Sequence, residues 1–394
     1  MRVRLSLPEK DDLTIGVEEE FVLADPVTGA VSLAAPRMLE LLDGEPAVMP
    51  EFLRFQIETA TGIHTGLDEI RAELLGLRGL VADAASRVGC LVLASGTPPC
   101  GDLPGLPGVT GEPRYHELAA RFPALVRDAG TCACHVHVGI PSPALGVRIL
   151  AGLRPWLAPL LAISANSPIA DGADSGWATR RYPLWSRWPT AQPPLDWPDT
   201  AAYTASIEDA VRRGEAIDAH AVYFYARLSP KHPTVEIRIA DVGLTAEDAV
   251  LLAGLIRALV VTILAEARAG LTPRPVRTSL INASLTAAAH NGYSGRGIDP
   301  FTGEALAQHL MVDRLLEYLR PALRASGDLA TIDRRLTAVR AGLTGAARQR
   351  ALFAEAASPA AFVAELASAT LAGTGRPGHP SPPPAPHPAA VHDI

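Results

Sequence analysis

Thr14-Ile-Gly-Val-Glu-Glu-Glu-Phe-Val-Leu23 decides how the chain is read: an apolar stretch interrupted by three consecutive carboxylates. A strand alternates its side chains between two faces, so Glu18 and Glu20 share one face while Val17, Glu19 and Phe21 take the other. Three more stretches repeat the device of two polar groups at i and i+2 in an apolar frame. They are Phe55-Gln-Ile-Glu58, His135-Val-His-Val138 and Val235-Glu-Ile-Arg-Ile239. Neighbouring strands lie about 4.8 Å apart, so four such strands in one sheet bring their polar positions together on one patch. That patch is the candidate site.

Glu18, Glu20, Glu58 and Glu236 place four negative charges there, with Glu51 a fifth, against Arg238, His135 and His137. Like charges a few ångströms apart cannot all stay ionised, so the set either takes up protons or binds cations. Carboxylates with one or two imidazoles suit Mg²⁺ or Mn²⁺ better than Zn²⁺, and two or more hard divalent ions are expected. Protein-held magnesium keeps positions for phosphate oxygens, which points to ATP. The chain has neither a Gly-x-x-x-x-Gly-Lys loop nor a Rossmann glycine pattern, so metal and arginine must hold the triphosphate. Taken singly, each residue has a plainer reading. Glu18 would be a solvated strand residue, His137 a structural histidine, Glu236 and Arg238 a cross-strand pair, and Arg180 and Arg181 surface charges. Four i, i+2 pairs, each backed by an apolar opposite face, outweigh those readings.

The rest of the chain frames this patch. A formal net charge of -7 over 394 residues gives no nucleic-acid footprint. Met1 to Pro8 lacks the apolar run of a signal peptide, and no stretch of about eighteen uninterrupted apolar residues appears; a cytoplasmic protein without membrane contact is expected. Cys132-Ala-Cys134-His135 resembles half a zinc site, but no second cysteine pair follows, and alternation makes Cys132 and Cys134 packing residues. Thr65-Gly-Leu-Asp68 and Thr245-Ala-Glu-Asp248 read as capping boxes opening long helices. Further expectations are a strand over 51–59, a helix with apolar positions at Leu67, Ile70, Leu74, Leu77, Val81, Ala84 and Val88 that ends at Gly89, a surface loop over 96–113, a helix over 114–128, helical 144–164 broken at Pro155 and Pro159, and a functional loop over 166–198 that holds every tryptophan but Trp156. A helix over 207–219 and paired strands over 220–226 and 234–241 complete the reading. Hairpins and helices alternate without a regular βαβ beat, which favours an α+β fold: a mainly antiparallel sheet, polar on one face and covered by helices on the other. Residues 1–372 are read as one catalytic domain and 373–394 as a disordered Pro-rich tail.

The motifs Gly16-Val-Glu-Glu-Glu-Phe with Asp25-Pro-Val-Thr-Gly29, Gln56-Ile-Glu-Thr-Ala-Thr-Gly62 and His135-Val-His-Val-Gly139 occur in this order. Ala165-Asn-Ser-Pro168 with Ser175-Gly-Trp-Ala-Thr-Arg-Arg181, and Pro233-Thr-Val-Glu-Ile-Arg-Ile-Ala-Asp241, follow them. Together the chain resembles the carboxylate-amine ligase family, often labelled glutamate-cysteine ligase type 2, from Thr14 to about Leu371. The resemblance implies a glutamine-synthetase-like fold and an ATP-dependent ligation. In that chemistry a glutamate-like carboxylate attacks the γ-phosphate and an amine then displaces phosphate from the acyl phosphate. It also implies metal ligands at Glu18, Glu20, Glu58 and Glu236, with Glu51 a further one, and a metal or phosphate contact at His135, with His137 beside it. Arg238 matches a phosphate-contacting catalytic arginine, and Arg227, in Arg227-Leu-Ser-Pro230, matches a second. Arg180 or Arg181 would clamp the substrate carboxylate. The chain departs from the family near Asn282, where Leu285-Thr-Ala-Ala-Ala289 stands in place of a Trp-Arg pair. The expected partners are therefore an amino-acid carboxylate and an amine, with a homodimer as the assembly to test. Two alternatives stay open: phosphoryl transfer to a guanidino nitrogen, and a nucleotide-binding scaffold that has lost turnover.

Overall fold

The computed structural model describes residues 13–101, 103, 108–126 and 129–376. Its centre is a seven-stranded sheet built from β1 (Ile15–Ala24), β2 (Val48–Pro50), β3 (Gln56–Ala60), β4 (Leu91–Leu93), β5 (Ala133–Gly139), β8 (Ala226–Leu228) and β9 (Thr234–Asp241). A small separate hairpin pairs β6 (Ile169–Ala170) with β7 (Ala173–Asp174). The order β2-β3-β1-β5-β9-β8 is antiparallel at every step, and β4 pairs with the far end of β1. All four stretches with i, i+2 polar pairs are thus neighbours in one sheet. The α+β class and the one-sided polar sheet are as expected.

The sheet's dry face is closed by helices. Leu67–Val88 buries Leu67, Ile70, Leu74, Leu77, Val81 and Ala84, the periodic set read from the sequence, and ends at Gly89 in the left-handed region (φ 78°). Its N-cap is Gly66, whose N–H donates to Glu69 (3.1 Å). The cap is therefore one residue later than the expected Thr65 box, because Glu69 reaches back where Asp68 does not. The second box stands as read: Asp248 accepts from both Thr245 N and Thr245 Oγ1 at 2.8 Å. The helix behind it, Ala246–Arg268, is buried on nearly every side, and each enclosed Leu or Ile adds roughly 1.5–3 kcal/mol of transfer free energy. This helix and the Pro143–Ser164 segment are long and apolar enough to cross a membrane, but 89% and 78% of their most apolar windows lie inside the fold.

Glu19 points to this dry side, opposite Glu18 and Glu20, and Arg78 meets it with two hydrogen bonds of 2.9 and 2.5 Å. The remaining donors of Arg78 bind the carbonyls of Gly243 (2.7 Å), Leu244 (3.1 Å) and Thr370 (2.9 Å). One guanidinium so ties the central strand to the β9 exit and to the C-terminal helix Pro359–Thr370. A buried pair like this survives desolvation only because each lone pair and donor is satisfied.

Several expected boundaries move for identifiable reasons. The expected strand over 51–59 is a β2–β3 hairpin with Glu51 in its turn, so Glu51 reaches the cleft from a loop. Residues 95–100 are buried rather than on the surface, since Gly96 N–H donates to Asn166 O (3.0 Å) and Gly96 O accepts from Cys132 N–H (2.9 Å). Pro123 splits the 114–128 helix into Pro113–Arg121 and Pro123–Val126; position 128 lies outside the described residues. The break at Pro155 is real, a 3₁₀ turn at Arg154–Trp156, whereas Pro159 sits in the first turn of Leu157–Ser164, where its missing N–H costs nothing. The 207–219 helix is Thr200–Arg212, opened by the Asp199 side chain accepting from Ala202 N–H (2.8 Å). The strand expected at 220–226 is Ala226–Leu228, so Arg227 lies in the ladder opposite Glu236 and not in the turn. Of the predicted tail, 373–376 form a turn with Arg376 paired to Asp83 (2.8 and 2.7 Å), and 377–394 lie outside the described residues.

Candidate active site

Register builds the site. Glu20 stands directly opposite Glu58 across β1 and β3, Glu18 opposite His135 across β1 and β5, His137 opposite Glu236 across β5 and β9, and Glu236 opposite Arg227 across β9 and β8. A register shift between Cys134 and Val136 gives β9 an extra residue opposite His135, at Arg238 and Ile239. Such a bulge re-aims a side chain, and here it leaves Arg238 in the cleft beside Glu236. All of these residues, with Glu51 from the hairpin turn, line one cleft of about 370 Å³.

Glu18 is the hub. Its carboxylate lies 3.0 Å from His135 Nδ1 and 3.3 Å from His137 Nε2. His137 Nδ1 is occupied by Thr234 Oγ1 (2.9 Å), and its buried Nε2 has no hydrogen-bond partner. Two sets of donor atoms each gather within 4.8 Å: Glu18, Glu58 and His135, and Glu18, His137 and Glu236. Glu18 belongs to both. The donor chemistry, carboxylates with imidazoles, suits a hard divalent cation, and these are the residues that would hold it. Neither cysteine lines the cleft: Cys134 is buried beside Glu19 on the dry face, and Cys132 is buried with its Sγ accepting from Gln56 Nε2 at 3.4 Å.

The charges are tuned in opposite directions. Burial, then the charge of Glu51, pushes Glu20 up to about 8, although Ala133 N–H donates to it (2.7 Å). Burial and the charges of Glu18, Glu51 and Glu20 carry Glu58 well above the usual carboxylate range, and burial raises Glu51 too. Burial also acts on Glu18 and Glu236, but the neighbouring His135 and His137 hold Glu18 low, and Arg238 and Arg227 hold Glu236 low. Burial, followed by nearby Arg238, drops His135 to about 4, which leaves a neutral imidazole fit to bind a metal.

The arginines divide by task. Arg238 pairs with Glu236 and keeps a buried Nε without a partner. Arg227 also grips Glu236, at 2.9 and 3.2 Å, and donates through Nη1 to the carbonyls of His220 (2.9 Å) and Val222 (2.8 Å). It holds the Glu236 carboxylate and the 220–222 segment together. Arg181 donates to the carbonyls of Ile239 (3.0 Å) and Arg238 (3.1 Å) and lies over Trp185 at 4.6 Å. Its two terminal nitrogens thus brace β9, while its buried Nε has no hydrogen-bond partner. Arg180 is not among the residues lining the cleft.

A second wall was not read from the sequence. Phe52, Tyr115, Trp188 and Tyr223 form connected ring contacts, with centroids 5.3 to 6.4 Å apart, at the end of the cleft near Glu51. Arg114, held by Asp218 through two 2.9 Å bonds, stands at the same end. The tryptophan-rich loop signalled function, but an Arg-Tyr pair at a helix start carries no motif of its own. The departure at 285–289 falls in the helix Thr278–Asn291, with Leu285, Ala288 and Ala289 in the core. None of the cleft's lining residues comes from that helix.

The α+β sheet with its carboxylate face is a fold this chain shares with solved ligases. A crystal structure of glutamate–cysteine ligase from Francisella tularensis in complex with AMP superposes with a TM-score of 0.69 at 12% identity, covering 91% of this chain and 88% of that one. A bifunctional glutathione synthetase from Pasteurella multocida gives 0.64 at 14% identity, over 92% of this chain and 52% of that one. By sequence, residues 14–362 match the model of glutamate-cysteine ligase family 2, and the chain belongs to that family. A relative named "Putative glutamate--cysteine ligase 2" in Salinispora arenicola (strain CNS-205) is 41% identical over 345 residues, 87% of this chain and 91% of the relative.

Proposed function

We propose that this chain is an ATP-dependent carboxylate-amine ligase that takes glutamate, or a close analogue, as acyl donor. The observation that carries the reading is the pair of donor triads sharing Glu18 on a face lined by two buried arginines, Arg181 and Arg227, and the half-buried Arg238. Glu18, Glu58 and His135 would hold one Mg²⁺ or Mn²⁺, and Glu18, His137 and Glu236 the other, with Glu20 and Glu51 adjoining. Bound there, the ions would supply charge neutralisation to the triphosphate and to the transferring phosphoryl group.

A side-chain carboxylate oxygen of the donor attacks the γ-phosphorus, the bond to the β–γ bridging oxygen breaks, and ADP leaves. The amine nitrogen then attacks the acyl carbon, inorganic phosphate departs, and the nitrogen gives up a proton as the amide forms. Arg238 faces the metal side of the cleft, where negative charge accumulates on the equatorial oxygens, and is the residue placed to stabilise it. Arg227 and Arg181 act through others, one by fixing Glu236 and the other by bracing β9. The aromatic end with Arg114 suits the amino-acid substrates, an arginine for a carboxylate beside an apolar wall.

The test is release of ADP with Mg²⁺, ATP and glutamate across a panel of amines that includes cysteine, with the products weighed by mass spectrometry. One amine that elicits ADP and an amide of matching mass supports the ligase. A phosphorylated amine without an amide would assign guanidino-kinase-type chemistry instead. Silence across the panel with ATP still bound would favour a scaffold.

A further inference from the structure

Four polar residues of the motifs lie behind the cleft: Asn166, Ser167, Thr179 and Asp241 are buried, and none of them lines it. Asp241 is their hub. It ends β9, and its carboxylate accepts from Ser167 Oγ (2.7 Å), Thr179 Oγ1 (2.8 Å) and Asn166 N–H (2.8 Å). Burial pushes its pKa up, while Arg181 and these three donors work against that.

The hub is closely enclosed. An added Cβ on Gly96 would meet Asp241 Cγ at 2.6 Å and Ser167 Oγ at 2.9 Å, so the chain passes here only as glycine. Asn166 Nδ2 donates to Ala94 O (2.9 Å) and Val242 O (2.8 Å), and its Oδ1 accepts from Gln349 Nε2 (2.8 Å). The exits of β4 and β9 and the helix Gly345–Glu355 thus converge on one buried carboxylate and its neighbour.

What the hub holds is Arg181. Ser167 Oγ accepts from the Arg181 backbone N–H (3.2 Å), and Arg181 Nη1 lies 3.9 Å from Asp241 Oδ1. Backbone and guanidinium are therefore both referred to Asp241. From there the guanidinium reaches the carbonyls of Arg238 and Ile239, the place where β9 carries its extra residue opposite β5. A bulge disrupts the ladder locally, and Arg181 supplies donors at that point. Arg238 is the side chain that this bulge leaves in the cleft.

We infer that Asp241 and Arg181 are positioning residues for Arg238: the buried carboxylate fixes the Arg181 guanidinium, which clamps the β9 bulge and so sets where Arg238 meets the transferring phosphoryl group. The inference rests on the ATP-dependent reading above and adds the buried groups on which its charge-stabilising arginine depends. A change at Asp241 touches neither the metal-face carboxylates nor the cleft wall. Its effect is felt where charge develops in the reaction and not where ADP is held.

Asp241→Asn removes the charge and keeps the shape. Binding of ADP with Mg²⁺, and of ADP with Mg²⁺, glutamate and aluminium fluoride as a mimic of the transferring phosphoryl group, is measured by calorimetry. The proteins are the wild type, Asp241→Asn, Arg238→Gln and the double variant. Positioning predicts that Asp241→Asn loses at least about tenfold in fluoroaluminate affinity and less than about twofold in affinity for ADP alone. In the Arg238→Gln background the same substitution adds less than about twofold, because the residue it acts through is already gone. An equal fluoroaluminate loss in both backgrounds, an equal loss for both ligands, or no loss in Asp241→Asn overturns the inference. If Asp241→Asn does not fold, Thr179→Val, which takes one hydroxyl from the carboxylate, enters the same cycle with an expected loss of at least about threefold and the same overturning results. A wild type that binds neither ligand fails at the level of the ATP-dependent reading, and the inference falls with it.

Discussion

Glu20 and Glu58 face each other across two strands, and burial, with the charge of Glu51 on Glu20 and of Glu18 and Glu51 on Glu58, keeps protons on both where ordinary glutamates have lost them. The consequence for stability has a definite sign. Between the ordinary glutamate value of 4.5 and the value of about 8 reached by Glu20, the unfolded chain ionises while the fold retains the proton, so stability falls as pH rises. His135, lowered to about 4 from 6.5, acts oppositely below 6.5, where the unfolded imidazole gains a proton that the folded one refuses. The clean window is therefore 6.5 to about 8. There the metal-free protein should lose melting temperature with rising pH, and Mg²⁺ should restore it with release of protons to the buffer. Thermal melts and potentiometry at several pH values check both. Glu58→Gln removes a buried group that must hold a proton in the fold and should raise metal-free stability by roughly 1–2 kcal/mol while weakening the Mg²⁺-induced shift, read by the same melts. Glu18→Ala and Glu236→Ala should cut turnover at least about a hundredfold in steady-state assays while far-ultraviolet circular dichroism is retained. Unchanged rates would remove those residues from the machinery.

At the level of the elements, the central strand is held from behind as firmly as it is used in front. Arg78→Leu would strand the Glu19 carboxylate in the core and free three carbonyls, so a loss of about 3–5 kcal/mol in urea denaturation is expected. Adding Glu19→Leu should recover part of it, because the unpaired charge is then gone. Period-two alternation told which carboxylates face the cleft, and it put Glu19 behind. It could not name Arg78, whose partner lies 59 residues away in sequence. A signal was present: Arg78 stands four residues after Leu74, on the apolar face of its helix, where a charge needs a buried partner. Arg227 and Glu51 were recognised as site residues but placed in the wrong elements. A three-residue edge strand and a tight hairpin have too few residues to show a period. The aromatic wall of Phe52, Tyr115, Trp188 and Tyr223 is assembled from four separate segments and has no local pattern at all.

For the molecule as a whole, the motifs fixed the sheet because its strands carry their own register marks: Glu18 with His135, and His137 with Glu236. The departure at Leu285 to Ala289 lies away from the cleft, with Leu285, Ala288 and Ala289 packed in the core. Leu285→Ala should thus cost about 2–5 kcal/mol of stability and leave ADP affinity within twofold, measured by denaturation and calorimetry. The central claim is that a carboxylate is activated by phosphoryl transfer from ATP on this face, and isotope transfer tests it most directly. Glutamate labelled with ¹⁸O in its side-chain carboxylate is turned over with ATP, Mg²⁺ and the amine that supports ADP release, and the phosphate is analysed by mass spectrometry. The account predicts one ¹⁸O atom in each phosphate released. Unlabelled phosphate, or AMP and pyrophosphate as products, would contradict it.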